Sequence, residues 1–293
     1  MITSFCHRFA TTLLLAAALP ACAASFDCAK AKTEVEKAVC ADKELSELDV
    51  QLANAWRGTL NAARDPSLMR IRQREWAASR DICSDGEMKS CLANSYWDRI
   101  SLLQKLTEAL QQSPSPAAGK PDESGMYRLF AKRLEGESAV IYIFRKGDSK
   151  PWQTLPVLVM PNDLDIAPRI TKISDSAQIL EVYNGRGGRH STASYDFYVS
   201  SNGGQFIYSE AITNLAVDTL SGLEIMGDEL ETVSSDAGTT RSTNTRYKLV
   251  DGKPQIASRE IFDGESDRKF NLTTYETYRD GKLVKSWTKK EKR

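Results

Sequence analysis

The apolar positions divide the chain into two parts with different periods. From about residue 33 to residue 110 they recur at helical spacing. Thr33 followed by Glu36 is a capping-box pattern, in which the hydroxyl accepts from the Glu36 amide and the carboxylate returns to the Thr33 amide, and it predicts a short helix to about Cys40. Asp42 is placed to cap a second helix whose Leu45, Leu48, Leu52, Ala55, Trp56 and Leu60 share one face. Asp65-Pro66 marks a third start, after which Met69, Trp76 and Cys83 recur every seven residues. A fourth helix carries Leu92, Tyr96, Ile100, Leu103, Leu106 and Leu110. Short connections make the second, third and fourth helices successive antiparallel neighbours, so the second helix's start, the third's end and the fourth's start meet at one end.

After Ser113-Pro114-Ser115-Pro116-Ala117-Ala118-Gly119-Lys120-Pro121, a stretch with little to bury, the period becomes two. Alternating segments run from Tyr127 to Leu134, Ala139 to Arg145, Thr154 to Met160, Gln178 to Tyr183, Ser191 to Val199 and Phe206 to Ile212, and each predicts a strand. Asp251-Gly252 and Asp280-Gly281 supply the positive φ angles of tight hairpins. The expected fold is α+β in two domains: a small antiparallel helical domain over residues 24–111, a Pro/Ser/Ala linker over 112–124, and an all-β domain over 125–293. The β domain is a sandwich, a barrel or a propeller-like fold, and the pattern leaves that choice open.

The first 23 residues form a signal peptide, with Arg8 ahead of the apolar run Leu13 to Leu19 and an Ala21-Cys22-Ala23 cleavage site before Ala24. Leu19-Pro20-Ala21-Cys22 also resembles a lipobox, which would anchor the mature chain by lipid at Cys22. Pro20 fits that motif poorly, and a soluble periplasmic protein is favoured. The whole chain has 39 basic and 39 acidic residues, so the mature protein is nearly neutral and nothing suggests a nucleic-acid partner. No later segment has the ~20 apolar residues of a membrane span. Cys28, Cys40, Cys83 and Cys91 remain in the mature part, an even number that in an exported chain reads as two disulfides. Zinc is the competing reading, but spacings of 12 and 8 lack the short Cys-x-x-Cys knuckle. Three pairings are possible. The nested one, Cys28 with Cys91 and Cys40 with Cys83, is preferred because it would staple the N-terminal segment to the fourth helix.

Candidate chemistry is sparse. The mature chain holds one histidine, His190, and has no Gly-rich phosphate loop, His-Glu-x-x-His or Gly-x-Ser-x-Gly, so an enzyme is not expected and no cofactor is implied. The most distinctive loop is Asn184-Gly185-Arg186-Gly187-Gly188-Arg189-His190, whose three glycines permit tight backbone turns and which presents two guanidiniums beside an imidazole. It is either a solvated β-turn or a set of bidentate donors for carboxylates on a partner. Asp163 with Asp165, and Asp263 with Glu265 and Asp267, have calcium-type oxygens, but neither group follows the twelve-residue calcium loop, and turn carboxylates are expected. Trp56 and Trp76 read as core, and the Lys-rich stretch from Lys285 to Arg293 as a frayed, solvated tail.

Several segments carry a family resemblance: Ser25-Phe26-Asp27-Cys28-Ala29-Lys30-Ala31, Val35 to Cys40, Glu44 to Asp49, Arg74, Trp76, Arg80, Asp81 and Cys83, and Cys91-Leu92 with Tyr96 and Arg99-Ile100. Over about residues 25–110 the chain resembles the N-terminal domain of LprI-type lysozyme inhibitors. The β part more loosely resembles periplasmic immunity proteins against lysozyme-like effectors of type IV secretion systems, themselves similar to PliI-type inhibitors. That likeness rests on Ile179 to Val182, Gly187 to His190, Tyr195 to Tyr198, Phe206 to Ile212 and Tyr247 to Pro254; Ser191 and Thr192 stand where the pattern often has cysteine. The two resemblances imply an inhibitor of a lysozyme-like peptidoglycan hydrolase, with Arg186, Arg189, His190 and Tyr195 as contacts for its acidic cleft. The alternative is a non-catalytic envelope module that binds glycan, calcium or a protein.

Overall fold

The computed structural model describes residues 24–83, 87–134, 138–158, 168–183, 195–217, 223–235 and 238–293. The signal segment, Asp163 and Asp165, and the loop holding Arg186, Arg189 and His190 lie outside the described residues.

The helices start where their caps predict. Helix α1 (Glu34–Ala41) has the complete Thr33/Glu36 capping box. Asp42 caps α2 (Lys43–Ala62) by accepting from the Glu44 and Leu45 amides at 2.9 and 3.1 Å. Before α3 (Ser67–Arg80), Asp65 accepts from the Ser67 amide at 3.0 Å, and Pro66 occupies the cap position itself rather than the first helical one. The fourth, α4 (Met88–Leu110), buries the expected stripe of Leu92, Tyr96, Ile100, Leu103, Leu106 and Leu110. Helices α2 and α4 lie side by side and parallel. Lys89 at the start of α4 reaches Asp42 and Glu44 at the start of α2 (2.8 and 3.1 Å), while Thr59 near the end of α2 meets Thr107 near the end of α4 at 2.9 Å.

The disulfides join Cys28 to Cys40 and Cys83 to Cys91, which corrects the nested pairing expected from the sequence. Each bond closes a short local excursion. Cys28 opens a three-residue 3₁₀ turn just ahead of α1, whose last turn carries Cys40, and the second bond clamps the connection from α3 to α4. Neighbours 12 and 8 residues apart meet before the helices need to pack, whereas the nested pairing would have required the finished bundle. The N-terminal segment is held instead by a hydrogen bond from the Ser25 amide to Asp49 at 2.7 Å.

Three antiparallel sheets follow. In the first, β1 (Lys120–Pro121), β2 (Tyr127–Arg133), β3 (Ser138–Arg145) and β4 (Gln153–Leu158) are adjacent in that order. The second has β5 (Arg169–Ser174), β6 (Ala177–Tyr183), β7 (Tyr195–Ser201) and β8 (Ile207–Tyr208). Helix α5 (Glu210–Val217) leads to the third, a meander of β9 (Leu223–Met226), β10 (Glu229–Ser235), β11 (Arg241–Val250), β12 (Lys253–Asp263), β13 (Phe270–Arg279) and β14 (Lys282–Lys292). Asp251, Gly252, Asp280 and Gly281 all have positive φ, as the tight hairpins demand.

Alternate residues of β3 join two different cores. Val140, Tyr142 and Phe144 pack with the helices, and the Tyr142 hydroxyl donates to the Ala109 carbonyl at 2.6 Å. Ala139, Ile141 and Ile143 pack with Leu180, Val182 and Tyr198 of the second sheet. That sheet's other face, with Ile179, Phe197 and Val199, meets Ile212 of α5 and Leu230 of β10. The chain is therefore layered as helices, sheet, sheet, then the third sheet with α5. The apolar run Ala139 to Phe144 is the signature of a strand covered on both faces.

Two segments differ from their sequence expectation. The strand expected from Phe206 to Ile212 ends at Tyr208, and Ser209 then starts α5. Its hydroxyl accepts from the Ile212 amide at 3.4 Å and its carbonyl from the Thr213 amide at 3.0 Å. Thr213 in turn accepts from the Phe197 amide of β7 at 3.1 Å. The expected frayed tail from Lys285 is an edge strand, because Trp287 finds Tyr275 across β13.

Candidate functional site

The residues that carry the helical resemblance converge on one buried constellation. Tyr96 is fully buried; its hydroxyl donates to Asp49 at 3.0 Å and accepts from Arg80 at 3.1 Å. Trp76 meets the Tyr96 ring edge-on at 5.7 Å, and the guanidiniums of Arg80 and Arg99 lie 5.4 and 5.9 Å from the Trp76 ring centre. Arg80 also binds Asp81, and Arg99 donates to Gln73 at 3.0 Å. Burial, reinforced by the Asp49 charge, raises the Tyr96 pKa, so this phenol stays protonated as the donor. These hydrogen bonds and ring contacts run between α2, α3 and α4, so the constellation is a frame that locks the three helices. Its residues are spent on each other and offer little to a ligand.

A second buried polar group lies where α3 meets the β sheets. Arg72 binds Asp196 of β7 at 3.0 Å and Glu75 at 3.0 Å. Asp65 accepts from the Tyr208 amide at 2.8 Å. Tyr198, enclosed beside them, has its pKa pushed well up by burial and then by Asp196.

Asp196 is the second residue of β7 and Tyr195 the first, so this group stands at the root of the loop that connects β6 to β7. Of the four contacts expected from the sequence, Tyr195 alone lies among the described residues. It is half-buried and packs edge-on against Tyr183 at 5.5 Å, the two rings bracketing the loop's entry and exit. Arg169 of β5 stands beside this root, exposed along much of its length, with its Nε donating to the buried Glu181 at 2.7 Å; that hydrogen bond raises the arginine's pKa. Arg169 and Ile170 also form one wall of a groove of about 340 Å³, whose other wall is Lys120, Asp122, Glu123 and Leu129. Sequence reasoning missed Arg169, because nothing local marks an arginine in a short strand. The described residues at this root thus bring the Tyr183 and Tyr195 rings and the Arg169 guanidinium to the ends of strands β5, β6 and β7.

The carboxylates of Asp263, Glu265 and Asp267 are engaged by the chain's own donors. Asp263 accepts from the Glu265 and Ser266 amides at 2.9 Å each and from the Ser266 hydroxyl, faces Arg241 at 3.3 Å, and has its pKa lowered to about 2 by the serine and backbone hydrogen bonds. Glu265 accepts from the Thr240 amide and Asp267 from the Lys269 amide. Among the described residues no three His, Cys, Asp or Glu side chains cluster as a metal site, and no helix is long and apolar enough to cross a membrane.

No family model matches the chain. It is similar to proteins named Lipoprotein LprI from Mycobacterium tuberculosis and Mycobacterium bovis, with 28% identity over 149 residues, 46% of this chain and 75% of the relative. Among solved structures it is similar to a Xanthomonas protein described as related to the type IV secretion system, at 15% identity and a TM-score of 0.38. That match covers 62% of this chain and 86% of the other.

Proposed function

We propose that this chain is an exported, non-catalytic inhibitor of a lysozyme-like peptidoglycan hydrolase, acting in the periplasm as an immunity protein against an antibacterial secreted effector. The observation that carries the reading is the similarity to Lipoprotein LprI. The sequence likeness to LprI-type inhibitors agrees with it, since the residues carrying that likeness are the ones that build the disulfide-clamped Asp49–Tyr96–Arg80 frame. In this reading the helical part is a rigid support, and the β6–β7 loop rooted at Tyr183 and Tyr195 is the contact. Arg186, Arg189 and His190 carry the charge that meets an acidic catalytic cleft, and Arg169 adds a further guanidinium at the loop's root. PliI-like plugging of the cleft is the mode this arrangement would use.

The test is muramidase activity, on sacculi and on whole cells, in the presence of purified mature protein. Stoichiometric inhibition is expected, with Arg186→Ala/Arg189→Ala weakening it by about tenfold or more, the scale of one buried arginine anchor. Absence of binding to lysozymes and to any secreted hydrolase encoded beside this gene would overturn the reading in favour of an envelope-binding module. Mass spectrometry of the mature N-terminus decides separately between a free protein and one tethered at Cys22.

A further inference from the structure

The edge of the third sheet carries an aromatic and cationic face that the inhibitor reading does not use. Tyr275 of β13 and Trp287 of β14 stand directly opposite one another, ring centroids 4.4 Å apart and 19° from parallel. Tyr275 covers one face of the indole. Because β14 is the sheet edge, no cross-strand neighbour covers the other, and Trp287 stays 48% exposed. Lys285 and Lys289 flank it on the same face, about 7 Å away along the strand on either side. From Tyr275 the cross-strand row continues through Glu260 and Asn244, and the next row ends in Arg246 bound to Glu231 at 2.8 Å. One face thus joins a half-exposed indole, the Lys285 ammonium, Lys289 bound to Glu291 at 2.6 Å, and a field of planar hydrogen-bonding side chains. Within a chain of balanced charge, β14 alone holds five lysines against one glutamate.

We infer that this face binds an acidic polysaccharide. A pyranose ring presents C–H groups on its face, which suit the electron-rich indole, and carboxylates on the sugar or its substituents meet Lys285 and Lys289. A membrane surface fits less well. The register shift between Thr277 and Tyr278 sets Leu283 opposite Tyr278, on the side away from Trp287, so these two exposed apolar side chains do not share a face. Strand addition by another polypeptide is opposed by the same lysines that blunt an exposed edge. This inference does not depend on inhibition, because Trp287 lies on the edge strand of the third sheet, whereas the proposed contact loop joins two strands of the second.

The experiment is titration of the mature chain with polygalacturonate and, separately, with purified peptidoglycan glycan strands, read by tryptophan fluorescence and calorimetry. A neutral dextran and phosphatidylglycerol vesicles are the comparison probes. Binding to at least one carboxylated polymer is expected, weakened about tenfold or more by Trp287→Ala, largely kept by Trp287→Phe, and stripped of most of its salt dependence by Lys285→Ala/Lys289→Ala. Trp287→Phe and Lys285→Ala/Lys289→Ala should melt as the parent does; Trp287→Ala also gives up the stacking on Tyr275, so if it loosens β14 the lysine variant carries the test. The inference is overturned if neither carboxylated polymer binds, if Trp287→Ala leaves binding unchanged, or if the vesicles bind and both polymers do not.

Discussion

Arg72 and Asp196 meet at 3.0 Å although 124 residues separate them, and their side chains are 6% and 0% exposed. One lies on α3 and the other on β7, so a fully desolvated ion pair ties the helical part to the second sheet. Exposed ion pairs elsewhere, such as Lys37 with Glu34 on α1, sit in water and contribute at most about 1 kcal/mol each. Breaking the buried pair is a different matter, because Arg72→Met takes the guanidinium away from the buried Asp196 and Asp196→Leu leaves Arg72 with the half-exposed Glu75. Arg72→Met or Asp196→Leu alone should cost about 3–5 kcal/mol in urea denaturation, and the double variant far less than the sum. Additive losses in the double-mutant cycle would show that the pair does not couple the layers.

The Tyr96 hydroxyl is the second test of internal wiring. Tyr96→Phe keeps the ring against Trp76 but removes a donor to Asp49 and an acceptor for Arg80, both charged groups. A loss of about 1.5–3 kcal/mol is expected from equilibrium unfolding, at the upper end for a hydrogen bond because charged groups lose a partner. A loss below about 0.5 kcal/mol would mean that water replaces the hydroxyl. The proposed inhibition should be unchanged in the folded variant, since the frame is internal.

The disulfide pattern gives a direct chemical check. Peptide mapping without reduction should recover Cys28 linked to Cys40 and Cys83 linked to Cys91, and none of the cross-linked peptides of the nested pairing. Replacing either pair by alanine should cost about 2.5–3 kcal/mol from loop closure, with the 12-residue separation slightly above the 8-residue one. Their unequal consequences should be visible by hydrogen exchange. Loss of the first pair loosens the segment before α1, and loss of the second loosens the α3–α4 connection.

What could be read from the sequence was local. The Thr33/Glu36 box, the Asp42 cap and the two Asp-Gly hairpins are each specified by residues within four positions of one another, and all are present. The four cysteines could be read as two disulfides but not as pairs, because gathering at one end of a bundle is compatible with every pairing. The layering had a signal in the unbroken apolar run from Ala139 to Phe144, which alternation alone does not produce and which two-sided burial explains. Helix α5 was hidden by the strand-like Phe206 to Tyr208, since only Ser209 marks the change. Strand β14 was masked by its lysines: charge makes an edge strand look like a solvated tail unless its cross-strand partner, here Tyr275, is known. Arg72 with Asp196, and Arg169 with Glu181, depend on tertiary contacts and leave no mark in spacing. The proposed contact loop was legible only as chemistry, two arginines and a histidine among glycines.

The turn between β12 and β13 should respond to acid in a narrow window. Asp263 is held at about 2 by the hydrogen bonds from Ser266 and the Glu265 amide, with help from Arg241, against the ~3.9 of an unperturbed aspartate. A folded pKa below the unfolded one means that the carboxylate favours the folded turn wherever it is ionised in both states. That contribution is complete above about pH 4 and is lost as pH falls through the folded value near 2. The amide resonances of Glu265 and Ser266 should therefore hold position down to about pH 3 and shift together below it. Asp263→Asn should abolish that titration and weaken protection of both amides at neutral pH, because a neutral amide oxygen accepts more weakly than a carboxylate and no longer attracts Arg241. A midpoint for Asp263 near 4 would show that the turn does not hold the ionised form. Addition of calcium at neutral pH should leave both amides in place, since the carboxylate oxygens already serve the chain's own donors.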